Sequence, residues 1–283
     1  MLFGAHCSTA GGVEAALDRA KTIGADVCQI FVKNNMQWSG KAPPQREADA
    51  FKARVRELAC VFAHSGYLIN LAAPASENRD KSIRSLIQEL ELAAQIDLPF
   101  LVLHPGAHLG TGEAAGIQQV IAGLDEVFAA TKKLAVRVAL ENTAGQGTCL
   151  GHRFEHIGDI VDGVKDPGRL ALCVDTAHLF AAGFDIRSLE GWDAVMAQID
   201  KLIGLQRIAA FHLNDSKPGL GSRVDRHEQI GKGQIGLAAF GHIVNDARFS
   251  NTPGCLETPK SADLHEDKVN LATLRAMEKK AKR

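Results

Sequence analysis

The chain has 283 residues, 46% of them hydrophobic, and a formal net charge of −1. That length suits one α/β barrel, for which about 250 residues is usual, and no stretch reaches the roughly 20 uninterrupted apolar residues of a membrane span. The near-neutral charge excludes a protein that holds nucleic acid by bulk positive charge alone, although it leaves room for a local basic rim. The first dozen residues lack the basic start and apolar middle of a secretory signal, so a cytoplasmic protein is expected. The six cysteines are scattered, with no C-x-x-C pair, and read as reduced, buried thiols rather than a disulfide framework or a cysteine zinc site.

Along the chain, short apolar and often β-branched runs predict strands at 2–6, 27–32, 67–71, 100–104, 137–141, 170–175, 208–213 and 254–257. Amphipathic stretches between and after them predict helices over 13–23, 47–63, 81–96, 114–131 and 264–280. Pro and Gly punctuate the joins, as at Asp166-Pro167-Gly168. The basic end, 278–283, reads as a solvated helix terminus. Eight strand units of about 35 residues predict an α/β fold, a (β/α)₈ TIM barrel spanning 1–283 as one domain. A doubly wound sheet is the competing arrangement.

Polar residues stand where the apolar runs stop. His104, Glu141, Asp175 and Glu257 end their runs, and His212 lies one place before the end of its own. In such a barrel the C-terminal strand ends form the mouth where chemistry is done. His64 precedes the third predicted strand. Asp175 and His178 are three apart, one turn of a starting helix. Asp225 and His227 are two apart in a loop.

Taken singly, each residue has a plain structural reading, and Asp175 could simply cap the helix that follows it. Together, five imidazoles and four carboxylates exceed the ligand set of one tetrahedral ion and suit a cluster of divalent metals. Buried carboxylates at such spacing would repel one another, and divalent cations remove that repulsion. His6 and His108 read as candidate substrate or outer contacts. His152, His156, His242 and His265 read as surface or helix-cap residues.

These residues lie in strings that resemble the endonuclease IV family. They include Gly4-Ala5-His6, His104-Pro105-Gly106-Ala107-His108, Glu141-Asn142-Thr143-Ala144-Gly145-Gln146-Gly147, Asp175-Thr176-Ala177-His178, Val224-Asp225-Arg226-His227 and Leu256-Glu257-Thr258-Pro259. The resemblance runs from the first strand to the last. It implies a trinuclear zinc site: His64 and His104 on one ion, Glu141 bridging to a second, Asp175, His212 and Glu257 completing that second, and His178, Asp225 and His227 on the third. Manganese could replace zinc at one or more positions.

The resemblance also implies hydrolysis of the phosphodiester 5′ to an abasic site in double-stranded DNA and removal of 3′-blocking groups. Glu141 and Glu257 would be catalytic, with the attacking hydroxide at the pair bridged by Glu141. A monomer is expected.

An enzyme acting on a nucleotide inside a duplex must take it out of the stack and fill the gap. Met36, Gln37 and Trp38, in a loop after the second strand, and Tyr67 are the expected DNA-contacting residues. Some relatives carry Arg where Met36 stands, so this chain would wedge by shape alone. Lys33, Lys41, Lys217, Arg223 and Arg226 are expected phosphate contacts. The nearest rival is a metal-dependent sugar isomerase or epimerase on the same barrel, and a catalytically dead binding module is a more distant one. The third donor set, His178 with Asp225 and His227, favours the nuclease.

Overall fold

A computed structural model of the chain describes residues 1–279. Its frame is a closed barrel of parallel strands: β1 (Leu2–His6), β2 (Val27–Phe31), β3 (Cys60–His64), β4 (Phe100–Leu103), β5 (Arg137–Glu141), β6 (Leu170–Asp175), β7 (Ile208–His212) and β10 (Pro253–Leu256). The helices α1 (Val13–Thr22), α2 (Gln45–Arg54), α3 (Glu77–Gln95), α4 (Glu113–Ala130), α5 (Phe154–Gly163), α6 (Thr176–Ala182), α7 (Leu189–Leu202), α8 (Leu237–Val244) and α9 (His265–Ala276) follow or separate the strands. A small antiparallel ribbon, β8 (Asp215–Ser216) with β9 (His227–Glu228), rises beyond β7. The basic end expected at 278–283 falls mostly outside the described residues.

Alternation along each strand divides its side chains between two apolar layers. Val27, Phe62, Phe100, Val102, Ala139, Ala171, Cys173, Ala210 and Cys255 fill the barrel interior, with the Phe62 and Phe100 rings stacked 4.7 Å apart. Their neighbours of opposite parity, such as Leu101, Leu140 and Val174, pack outward against the helices. A Cβ at Gly4 would strike the Val27 carbonyl, so only glycine lets β1 and β2 close the barrel. Helix starts follow local chemistry: Ser76 and Ser188 cap α3 and α7 by accepting the Arg79 and Gly191 amides.

One expected strand is misplaced. The third strand is Cys60–His64, and 67–71 is a loop. The stretch 47–63 reads as one helix because its apolar residues continue without a glycine or proline. In the structure α2 ends at Arg54, tightens into a 3-10 turn at Val55–Glu57, and gives way to the strand. Ile69 and Leu71 are apolar because they are buried in the outer core, not because they pair in the sheet. His64 therefore closes β3 instead of preceding it. All six cysteines are free thiols.

Candidate metal centre

The parity that fills the barrel also aims its last inward residues. Along β5 the inward row is Ala139, Glu141, and along β6 it is Ala171, Cys173, Asp175. The same count reaches His64 on β3, His212 on β7, and His104 and Glu257 one residue past β4 and β10. Asp175 and His212 face each other across adjacent strands. The helix and ribbon that follow β6 and β7 add His178 and His227, with Asp225 two residues earlier.

The nine expected donors meet in this space. Glu141 is wholly buried at its centre. Its Oε2 lies 2.9 Å from His104 Nε2 and 3.2 Å from His64 Nε2. Its Oε1 lies 2.9 Å from His212 Nδ1 and 3.2 Å from His178 Nδ1. His212 Nδ1 is also 3.2 Å from Glu257 Oε2. Asp225 reaches His178 Nε2 at 3.3 Å and His227 Nε2 at 3.4 Å, and Asp175 Oδ2 is 3.6 Å from the same His227 nitrogen. Three sets have donor atoms mutually within 4.8 Å: His64, His104 and Glu141; Glu141, Asp175, His212 and Glu257; and Asp175, His178 and His227. Asp175 also caps α6 through Oδ1, which accepts the His178 amide at 2.7 Å. It is a cap and a cluster member at once.

Ring hydrogen bonds test whether a cation fits. His64 Nδ1 donates to Ser65 O at 2.9 Å, His178 Nδ1 to Asn142 O at 2.9 Å, and His227 Nδ1 to Glu257 O at 3.2 Å. A carbonyl only accepts, so each of these rings keeps its proton on Nδ1 and turns a bare lone pair at Nε2 toward a carboxylate. Two acceptors face each other at every such contact, and His227 Nε2 has no hydrogen-bond partner at all. A cation between them resolves the conflict, and a proton is the alternative.

The titration behaviour fits the same conflict. Burial raises the Glu141 carboxyl, but the imidazoles of His212 and His104 outweigh it and hold the group well below the usual carboxylate range. Burial is likewise outweighed at Glu257, chiefly by His212, bringing it to about 2. Burial would lower His178, yet Asp175, Asp225 and Glu141 push it well above the ordinary imidazole value.

A cavity of about 690 Å³ opens over the donors, lined among others by His6, Tyr67, His104, Asp225 and Lys260. The DNA-contact candidates divide around it. Met36 is 62% and Tyr67 65% exposed, and their loops are tied by the Tyr67 amide donating to Asn35 O at 3.0 Å. Gln37, Lys41, Lys217, Arg223 and Arg226 are exposed. Trp38 instead lines a separate cleft against α3 with Lys81, Arg84 and Gln88.

The phosphate contact expected of Lys33 does not fit its placement. Its side chain is 3% exposed, and Nζ lies 2.9 Å from Glu89 Oε1 and donates to Gln37 O at 2.6 Å. Burial raises Glu89, which Lys33 opposes. The same carboxylate accepts the Gly66 amide at 3.1 Å. One buried ion pair thus fastens both the Met36 and the Tyr67 loops.

Several residues escape a sequence reading because they are amides or distant cations. Gln29 bridges His212 and Glu257. Asn214 donates to Asp175 Oδ2 at 2.7 Å and accepts the Glu257 amide at 2.8 Å. Asn142 Oδ1 accepts the Asp175 amide at 2.8 Å. Asn142 directly follows Glu141 and Asn214 lies two residues after His212, but an amide has no charge to single it out. Lys260 donates to His6 O at 2.9 Å and pairs with Asp267. His108 Nδ1 accepts the Gly112 amide at 2.9 Å and shapes its loop. His152 and His156, expected as surface or helix-cap residues, are buried.

A closed parallel barrel whose mouth gathers overlapping sets of buried imidazoles and carboxylates is a metal-binding TIM barrel. The family model described as "Xylose isomerase-like TIM barrel" matches residues 17–280. The chain is 49% identical to a Chloroflexus aurantiacus protein described as "Probable endonuclease 4", over 97% of each chain. It is 46% identical to one of the same description from Geobacter sulfurreducens, over 97% of this chain and 93% of that one. Its structure matches endonuclease IV from Thermus thermophilus with a TM-score of 0.86 and 33% identity, over 98% of each chain. A D-tagatose 3-epimerase-like protein, 18% identical with a TM-score of 0.72 over 98% of each chain, shares the fold. The chain belongs to the endonuclease IV family.

Proposed function

We propose that the protein hydrolyses the phosphodiester on the 5′ side of abasic sites in double-stranded DNA, leaving a 3′-hydroxyl, and removes 3′-blocking groups. Three zinc ions would be held by His64 and His104 with Glu141, by Glu141 with Asp175, His212 and Glu257, and by His178, Asp225 and His227. The observation that supports this best is the set of imidazole lone pairs fixed toward carboxylates at the mouth. When bound, divalent ions supply Lewis acidity to a phosphate and lower the pKa of water. Manganese suits the same donors.

The chain's own residues prepare that chemistry. Glu141 presents one oxygen to His64 and His104 and the other to His212 and His178, so a single carboxylate spans two donor sets. Glu257 faces the cavity beside it. The backbone carbonyls of Ser65, Asn142 and Glu257 set the ring tautomers before any ligand arrives.

Met36 and Tyr67 form an exposed apolar pair beside the cavity, suited to filling the gap left by an extruded nucleotide. Gln37 lies next to Met36, and Lys217, Arg223 and Arg226 stand free to meet phosphates. Trp38, against α3, would support the Met36 loop from behind. Such a protein would work as a monomer in the cytoplasm, at the nucleoid in a bacterium. Among the described residues no helix is long and apolar enough to cross a membrane.

The test combines elemental analysis of the purified protein with cleavage of an abasic oligonucleotide and identification of the new ends. Three metal ions per chain and a chelator-sensitive cut leaving 3′-hydroxyl are expected. Cutting that persists in metal-stripped protein, or epimerisation of a free ketose with no cutting, would overturn the proposal. Met36→Arg is expected to tighten binding to an abasic duplex, and identical affinity would count against the wedge.

A further inference from the structure

We propose that Gln29 is a positioning residue of this centre: its carboxamide fixes which nitrogen of His212 is free to bind metal and aims Glu257 at the same point. The inference rests on the ligand set proposed above. Gln29 lies in the middle of β2, on the inward row with Val27, and is wholly buried. Its Nε2 is 2.6 Å from Glu257 Oε1 and 2.9 Å from His6 Nδ1, and its Oε1 is 2.7 Å from His212 Nε2.

Only one orientation of the amide satisfies all three contacts. An ionised carboxylate can only accept, so the NH₂ group must face Glu257, and its second hydrogen is left for His6. Oε1 then faces His212, whose Nε2 must carry the proton. That leaves the His212 lone pair on Nδ1, 2.9 Å from Glu141 Oε1 and 3.2 Å from Glu257 Oε2. The tautomers of His64, His178 and His227 are set by backbone carbonyls, which no substitution removes. His212 uses the opposite nitrogen, and its tautomer is set by a side chain.

The experiment compares the wild-type holoenzyme with Gln29→Met, which keeps the length and removes every hydrogen bond. Metal content is followed through graded chelator dialysis, with circular dichroism to report folding. Outer partners of metal ligands typically contribute 10–100-fold in affinity, so the folded variant is expected to release metal at about 10–100-fold lower chelator concentration. Its cutting activity should fall in parallel and recover with added zinc. Nitrogen-15 spectra of the wild-type holoenzyme should place the His212 ring proton on Nε2, a readout that stands even if the variant does not fold.

Unchanged metal retention in the folded variant, or a His212 proton on Nδ1, would overturn the inference. Wild-type protein that holds no metal would overturn the ligand set itself and take this inference with it. The wild-type and variant readings therefore separate the two failures.

Discussion

At the barrel mouth, His64, His178 and His227 give their Nδ1 protons to backbone carbonyls and turn bare nitrogens toward carboxylates. Between α4 and α5 a second cluster of the same residue types, Glu113, His152 and His156, differs from it at one ring. Its donor atoms also lie within 4.8 Å of one another. His152 Nδ1 donates to Cys149 O at 2.9 Å. His156 Nδ1 instead accepts the Gly151 amide at 3.2 Å, so the ring proton sits on Nε2, 3.2 Å from Glu113 Oε2. Glu113 there faces one N–H, on His156, whose Nε2 completes no hydrogen bond, and one lone pair, at His152 Nε2 3.6 Å away. A cation would have to expel that proton or break the Gly151 contact. Proximity makes the two clusters look alike, and the tautomer of His156 separates them.

The sharpest way to break this contrast is to remove the central carboxylate of each cluster. Glu141→Gln should lower abasic-site cutting by at least about 1000-fold, beyond the 10–100-fold usual for outer partners, and deplete bound metal. Glu113→Gln should leave both within about twofold. Metal loss in Glu113→Gln, measured by elemental analysis, would erase the distinction.

A third arrangement, the Lys33–Glu89 pair, handles buried charge without metal or neutral rings. Leaving one member unpaired should cost about 3–5 kcal/mol. Lys33→Met should therefore shift urea unfolding by that amount, while Lys33→Met combined with Glu89→Met should recover much of it. The single variant should also loosen the Met36 and Tyr67 loops, read as weaker binding to an abasic duplex with metal content unchanged. A stability change below about 1 kcal/mol would mean that the pair does not anchor those loops.

The mouth also predicts a pH dependence whose sign is fixed. Glu257, at about 2, and Glu141, held well below its usual value, remain ionised through the mildly acidic range. The competition is therefore for imidazole lone pairs. In metal-free protein Asp175, Asp225 and Glu141 push His178 well above the ordinary value, burial notwithstanding, so a second proton competes with metal for its Nε2 lone pair. Zinc uptake at pH 7 should expel protons, and apparent affinity should fall as pH falls. Calorimetric titration in buffers of different ionisation enthalpy counts the protons. A count of zero would show that the lone pairs were already free.

Much of this was readable from sequence because strand parity and strand ends are local patterns. His104, Glu141, Asp175, His212 and Glu257, at or beside the ends of their runs, fall where alternation places them. The run expected at 67–71 is a loop, and the strand it stood for, Cys60–His64, is largely buried and follows a helix with no punctuating residue, so period alone could not divide them. Lys33 read as a phosphate contact because its partner Glu89 is brought to it only by packing of α3. Gln29 carries no charge and lies inside a strand, and its role exists only once the closed barrel turns β2, β7 and β10 toward one interior. Tautomers are a further step removed, since the same histidine binds metal or refuses it according to which backbone group it meets.

The smallest expected effect tests that last point directly. Burial lowers the His156 pKa, with Glu113 opposing it less strongly, so the folded ring stays neutral below the value of about 6.5 expected when unfolded. Between the two values the unfolded chain binds more protons, and stability falls as pH drops below about 6.5. Protonation would also set a second N–H against the Gly151 amide. His156→Gln removes this titration, so the wild type should lose stability relative to the variant between pH 7 and pH 5 by on the order of 1 kcal/mol, the scale of one hydrogen bond. The difference should survive a chelator that strips the mouth, because the trio holds its proton rather than an ion. If the chelator abolishes it, the trio binds metal, and the contrast between the two clusters is lost.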